Sequence, residues 1–85
     1  MAETRPREFV TRYTWLTVVV GPIDIGTISS ESNAIRIALT TTGTPTDLKQ
    51  GHLLHPREGW NFELDEGETL YAIADDNKTS LITTY

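Results

Sequence analysis

The sequence contains no cysteine, so neither a disulfide nor a thiolate metal site can reinforce the fold. No apolar run approaches the ~20 residues of a membrane-spanning helix, and the polar N-terminus lacks a signal-peptide pattern. The chain is therefore expected in the cytoplasm of the cell that makes it, with no membrane partner. The glycines are not clustered: Gly21, Gly26 and Gly43 stand isolated, so there is no glycine-rich phosphate loop. Cations are also few, seven Lys and Arg against twelve Asp and Glu, for a net charge of −5. They are unevenly placed. Residues 1–12 carry Arg5, Arg7 and Arg12 against Glu3 and Glu8, a net of +1, while the remainder is at −6. An acidic body repels nucleic acid, which argues against DNA or RNA as a partner. At 85 residues the chain is one small domain. A domain of this size buries only about 60–65% of its unfolded surface, so docking or self-association is expected to add stability.

What the chain does have is β-pattern. In residues 60–65, Trp60, Phe62 and Leu64 alternate with Asn61, Glu63 and Asp65, giving one apolar and one wet face. Asp65-Glu66-Gly67-Glu68 then reverses the chain, with Gly67 supplying the positive φ of a tight turn. The return strand places Leu70, Ala72 and Ala74 on one face, with Tyr71 and Ile73 on the other. Upstream, residues 13–20 read as a strand with Tyr13, Trp15, Thr17 and Val19 on one side and Leu16, Val18 and Val20 on the other. Residues 23–25 read as a short strand, and 27–33 as turn chemistry. Residues 34–41 form a strand with Ile35, Ile37 and Leu39 inward. Residues 42–51 are a loop from which Leu48 reaches toward the core. Residues 52–55 and 79–84 complete the set. Strands this short, with turns every 8–12 residues, predict an all-β protein: a compact antiparallel β-sandwich of six or seven short strands spanning residues 13–85.

Residues 1–12 pattern as neither helix nor strand and read as an N-terminal arm. Arg5, Arg7 and Arg12 can make bidentate bonds to carboxylates, and Phe9 and Val10 offer one apolar anchor between them. These five residues are the candidate partner-binding set. The other reading of the arm is a disordered tail without a role.

No residue set supports catalysis. Serines and threonines are plentiful, but none sits in a recognisable nucleophile setting. His52 and His55 are three apart on a strand, so they point to opposite faces and cannot easily share a metal. The acidic runs at 65–68 and 75–77 are too short for a calcium loop and read as solvated turns. No metal, cofactor or enzymatic activity is expected. Trp15, Trp60, Tyr13, Tyr71 and Tyr85 could stack on sugars, but aromatics on a β-scaffold also serve as core or interface anchors.

Five segments form a sequence of pieces: Ala34-Ile35-Arg36-Ile37-Ala38-Leu39, Gly51 to Gly59, Trp60-Asn61-Phe62-Glu63-Leu64, Gly67-Glu68-Thr69-Leu70-Tyr71-Ala72-Ile73-Ala74 and Thr79 to Thr83. In this order they resemble a group of small β-sandwich virion proteins of tailed bacteriophages. The likeness covers the last two-thirds of the chain. It departs from the group where an additional strand is shortened to Thr-Gly-Thr-Pro, and in the basic arm. The resemblance implies a non-enzymatic part of a phage particle, most simply a capsid decoration or cement protein. It would bind the major capsid protein or another virion protein and work as a homo-oligomer, with a trimer favoured. The alternative is a receptor- or glycan-binding module of a head fibre or tail, which requires exposed tryptophans.

Overall fold

Eight strands account for the regular structure of the computed structural model, which describes residues 2–85. They are β1 (Glu8–Val10), β2 (Leu16–Val20), β3 (Ile23–Ser30), β4 (Ile35–Thr40), β5 (His52–Leu54), β6 (Gly59–Leu64), β7 (Thr69–Ala74) and β8 (Thr79–Thr84). One sheet has the order β1-β8-β3-β6 and the other β2-β7-β4-β5, with every pairing antiparallel. The chain passes from one sheet to the other at every connection except β4 to β5. The pairs β1–β8, β2–β7, β3–β6 and β4–β5 are those of one long hairpin, with its apex between β4 and β5, rolled over on itself. That is the strand order of a double-sheet jelly roll.

The protein is all-β, as expected, but with eight strands rather than six or seven. The additional strand lies in the segment read as an arm. Val10 enters the core at 2% exposure, and β1 pairs with β8 through Glu8–Leu81, Phe9–Ser80 and Val10–Thr79. Ahead of it the backbones of Glu3 and Tyr85 bond each other in both directions, and Arg5 N–H donates to Thr83 O. Residues 13–85 therefore do not contain the complete strand set, and residues 3–10 extend the sheet. A strand with one core side chain has no alternation to read.

Alternation places the core where it was legible. Phe62 and Leu64 of β6, Leu70, Ala72 and Ala74 of β7, and Ile35 and Ile37 of β4 face the interior with Ile28, Leu54, Leu81, Val18 and Val19. Each fully buried Ile or Leu contributes about 1.5–3 kcal/mol of transfer free energy. Two readings are corrected. A register shift between Thr17 and Val19 buries Val18 and Val19 together and leaves Val20 60% exposed, so strict alternation along 13–20 fails there. β3 also runs on to Ser30 through the expected turn, because Ile28 and Ser30 face the core and β6 and β8 pair it on both sides.

A second, smaller apolar cluster lies on the far face of the β2-β7-β4-β5 sheet. Tyr71 and Ile73 point away from the main core yet are buried, together with Trp15 and Ala38. Residues 41–51 return to this face. Pro45 is buried, whereas Leu48, expected to tuck in, is 44% exposed. Lys49 Nζ donates to Asp75 O at 2.7 Å and to Asp75 Oδ1 at 3.2 Å, and Arg36 Nε donates to Asp75 Oδ1 at 2.9 Å. One carboxylate thus fastens the loop to the sheet.

Gly67 has φ 92°, as its place in a tight turn predicts, but that turn crosses from one sheet to the other instead of closing a hairpin. A Cβ there would meet no atom within 4 Å, so the penalty for a side chain is backbone strain alone. Gly67→Val is expected to cost about 1–2 kcal/mol in a denaturant melt. An unchanged midpoint would show that the turn relaxes to another geometry.

Candidate interaction surface

The five candidate partner-binding residues divide. Arg5 is turned inward: its Nη2 donates to Tyr85 O at 2.7 Å and its guanidinium lies 4.2 Å from the Tyr85 ring centroid. Arg7 forms a two-point bond with Glu31, Nε to Oε1 at 2.5 Å and Nη2 to Oε2 at 3.0 Å. Val10 is core and cannot serve as an anchor for a partner. Phe9 and Arg12 remain available. Phe9 is 76% exposed, because in β1 it alternates with Val10 and points off the outer face of its sheet. Arg12 lies in the connection after β1, where its Nη2 donates to Tyr13 Oη at 2.7 Å and its charge lies 4.9 Å from the centre of that ring. Tyr13 itself is 68% exposed.

These side chains gather at one end of the roll. The strand directions put the 11–15 connection and the turns at 31–34, 55–58 and 75–78 at that end, tied by Ala74 N–H to Thr11 O and Arg57 N–H to Ser30 O. Two adjoining hollows open there. One of about 380 Å³ lies between Phe9, Thr11, Lys78 and Ser80, and one of about 350 Å³ between Arg12, Tyr13, Asn77 and Lys78. Tyr13 and Lys78 were not among the expected site residues. Tyr13 stood only among the aromatics that could stack or anchor, and nothing local marks Lys78, a turn lysine until the topology sets it beside Arg12.

Two carboxylates titrate below their ordinary range, and both hold structure. The Ser80 hydroxyl and then the Arg7 guanidinium lower Glu31 from the usual 4.5. Asp75 is lowered from the usual 3.8, first by Lys49 and then, against some desolvation, by Arg36. A depressed folded-state pKa means the contribution is complete above the ordinary value and is lost as pH falls through the lower, folded one. Asp75 therefore helps to hold the 41–51 loop above about pH 4. Asp75→Asn is expected to lower stability at pH 6 and to flatten the loss of stability below pH ~4. Thermal melts across that range check it, and parallel curves for wild type and variant would show that the clamp contributes nothing.

Neither tryptophan offers a platform to solvent. Trp15 is 8% exposed, and Trp60 is partly buried against the main core, 6.4 Å from the Phe62 ring. His52 and His55 are both exposed, and among the described residues no three His, Asp or Glu side chains are grouped as a metal ion would need. No protein-family model matches the chain, and neither curated proteins nor solved structures returned a match.

Proposed function

We propose that this protein is a non-enzymatic structural component of a phage particle, a decoration or cement protein that adheres to the capsid and works as a homo-oligomer. The observation that carries this reading is the placement of Phe9. A large apolar side chain stands 76% exposed on an edge strand of a small jelly roll, and Tyr13, in the connection that follows the strand, is 68% exposed. Aromatic side chains held rigidly at a surface are the residues that anchor protein interfaces. The sequence resemblance to phage virion proteins supplies the kind of particle. The jelly roll, an architecture shared by viral capsid and lectin domains, agrees with it by analogy of fold. The glycan-binding alternative is disfavoured because Trp15 and Trp60 are covered.

The mode of docking differs from a free arm that orders on binding. Residues 3–10 are held along β8, so the arm brings a fixed surface to the capsid rather than a flexible tether. Arg7 and Val10 keep that surface in place, and Phe9 makes the contact.

The test is cosedimentation with phage capsids that lack the protein, followed by electron microscopy to locate it. Wild type is expected to bind at repeated positions on the shell. Phe9→Ser should keep its melting temperature and bind about tenfold or more weakly. Failure of the wild type to bind, or full-strength binding by Phe9→Ser, would overturn the reading or move the contact elsewhere.

A further inference from the structure

The cations that have no carboxylate partner are gathered at one end of this molecule, where Glu58 and Asp76 also stand exposed. Among the described residues, Arg5, Arg7, Arg36 and Lys49 have carboxylate partners within 4 Å. The other three cations, Arg12, Arg57 and Lys78, have none, and all three lie in turns at the same end of the roll. The opposite end, about 20 Å away along the strands, holds the Asp65–Glu68 turn beside Gly21, bonded to it by Gly21 N–H to Glu68 O. Asp24, Asp65, Glu66 and Glu68 sit at that end without a cation partner among the described residues. The turn is also shaped to project: Asp65 and Glu66 are exposed, and space around Gly67 is open to 4 Å.

We infer that the two ends are a matched pair, and that the Asp65-Glu66-Gly67 turn of one copy docks into the hollow between Arg12, Tyr13, Asn77 and Lys78 of the next. The hollow of about 350 Å³ is open and shallow, which suits the tip of a tight turn better than an extended ligand. Asp76, which also lines it, is 3.7 Å from Lys49, leaving Arg12 and Lys78 as its unpaired charges. Arg12 is already oriented by Tyr13, so it presents its remaining N–H groups without further ordering. Tyr13 supplies the apolar wall. Every copy carries both halves, so the occupant that fits by charge is a second copy of this chain.

A contact of this kind is heterologous, joining head to tail. It closes into a ring if the rotation per copy divides the circle, and otherwise runs on as a filament. Three copies closing on themselves would be the trimer of a decoration protein. The inference rests on the structural-module reading for its setting. Its assay needs no capsid, so either can fail without the other.

Exposed ion pairs are individually weak and screened by salt, so the free protein is expected to associate weakly, and least at high ionic strength. Sedimentation at increasing concentration in low salt is the measurement. Wild type should exceed the 9.5 kDa monomer as concentration rises and return toward it when salt is added. Two charge-reversed proteins are compared, one carrying Arg12→Glu with Lys78→Glu, the other Asp65→Lys with Glu66→Lys. Each alone should associate at least tenfold more weakly, with an unchanged circular dichroism spectrum. Mixed together they should recover association, because each retains one intact half, and a merely unfolded variant could not do this. If either double variant destabilises the fold, the milder pair Lys78→Gln and Glu66→Gln replaces it with the same expectation at smaller amplitude. Wild type that stays monomeric at millimolar concentration in low salt, variants that associate like wild type, or folded variants that do not recover on mixing would each overturn the inference.

Discussion

A protein lacking residues 2–10 is expected to be unfolded, or to melt more than ~15 °C below the intact chain. A free arm would come off without consequence, but β1 is the strand that closes the roll. Removing it takes Val10 out of the core, worth about 1.5–3 kcal/mol of burial. It also strips the β1–β8 ladder and the bonds from Glu3 and Arg5, and leaves Leu81, Thr79 and Thr83 on an uncovered edge. Several kcal/mol are at stake against a total of roughly 4–13 kcal/mol for a domain of this length. Two point variants divide the effect by face. Val10→Ala should destabilise by about 1–3 kcal/mol, and Phe9→Ser, on the other side of the same strand, by little. A truncated protein with a cooperative melt at the wild-type temperature would show that β8 tolerates being an edge.

Gly51→Ala should be the most damaging glycine substitution among the positive-φ positions, at about 3 kcal/mol or more. Gly51 has φ 100°, nearly that of Gly67, so both positions carry the same class of strain for a side chain. The difference is space. A Cβ on Gly51 would overlap the Ile37 carbonyl oxygen and reach 3.0 Å from the Ile37 carbonyl carbon, both backbone atoms that cannot swing aside. Gly51 enters β5 directly against β4, and its own carbonyl faces the Arg36 guanidinium at 3.5 Å. Chemical melts of Gly51→Ala and Gly67→Ala give the comparison. Equal losses would mean that strain alone decides and that the chain relaxes around the added methyl.

Local alternation made β6, β7 and β4 legible, because each has one face in the core, although the hairpin expected of β6 and β7 is not formed: β6 pairs with β3, and β7 with β2 and β4. Three features were not legible, each for a nonlocal reason. β1 offers one core residue, and its pairing partner lies at the other end of the sequence. Thr27, Ser29 and Ser30, on either side of Ile28, have turn composition, yet two flanking strands hold them extended. The extra residue in β2 hides in a run of valines, where either face reads as apolar. The candidate surface followed the same division. Phe9 and Arg12 were visible as half of an apolar pair and a cation, whereas the burial of Val10 and the spending of Arg7 on Glu31 depend on contacts the sequence does not display. So does the meeting of Arg12 with Lys78.

The rolled hairpin also sets an order of events during synthesis. β1 leaves the ribosome first, but the strand it needs, β8, is the last of the roll to be made. β2 and β3 likewise wait for β7 and β6, and only β4 and β5 are neighbours in the sequence as well as in a sheet. The nascent chain must therefore carry Val10, Val18, Val19 and Ile28 uncovered until nearly all of the roll has emerged, when the sheets close together. Loop closure over such distances is slow, and refolding in vitro is expected in the millisecond-to-second range of all-β domains. Unpaired strands held waiting are open to wrong partners, and the polar residues that made β1 and β3 hard to recognise as strands limit that hazard.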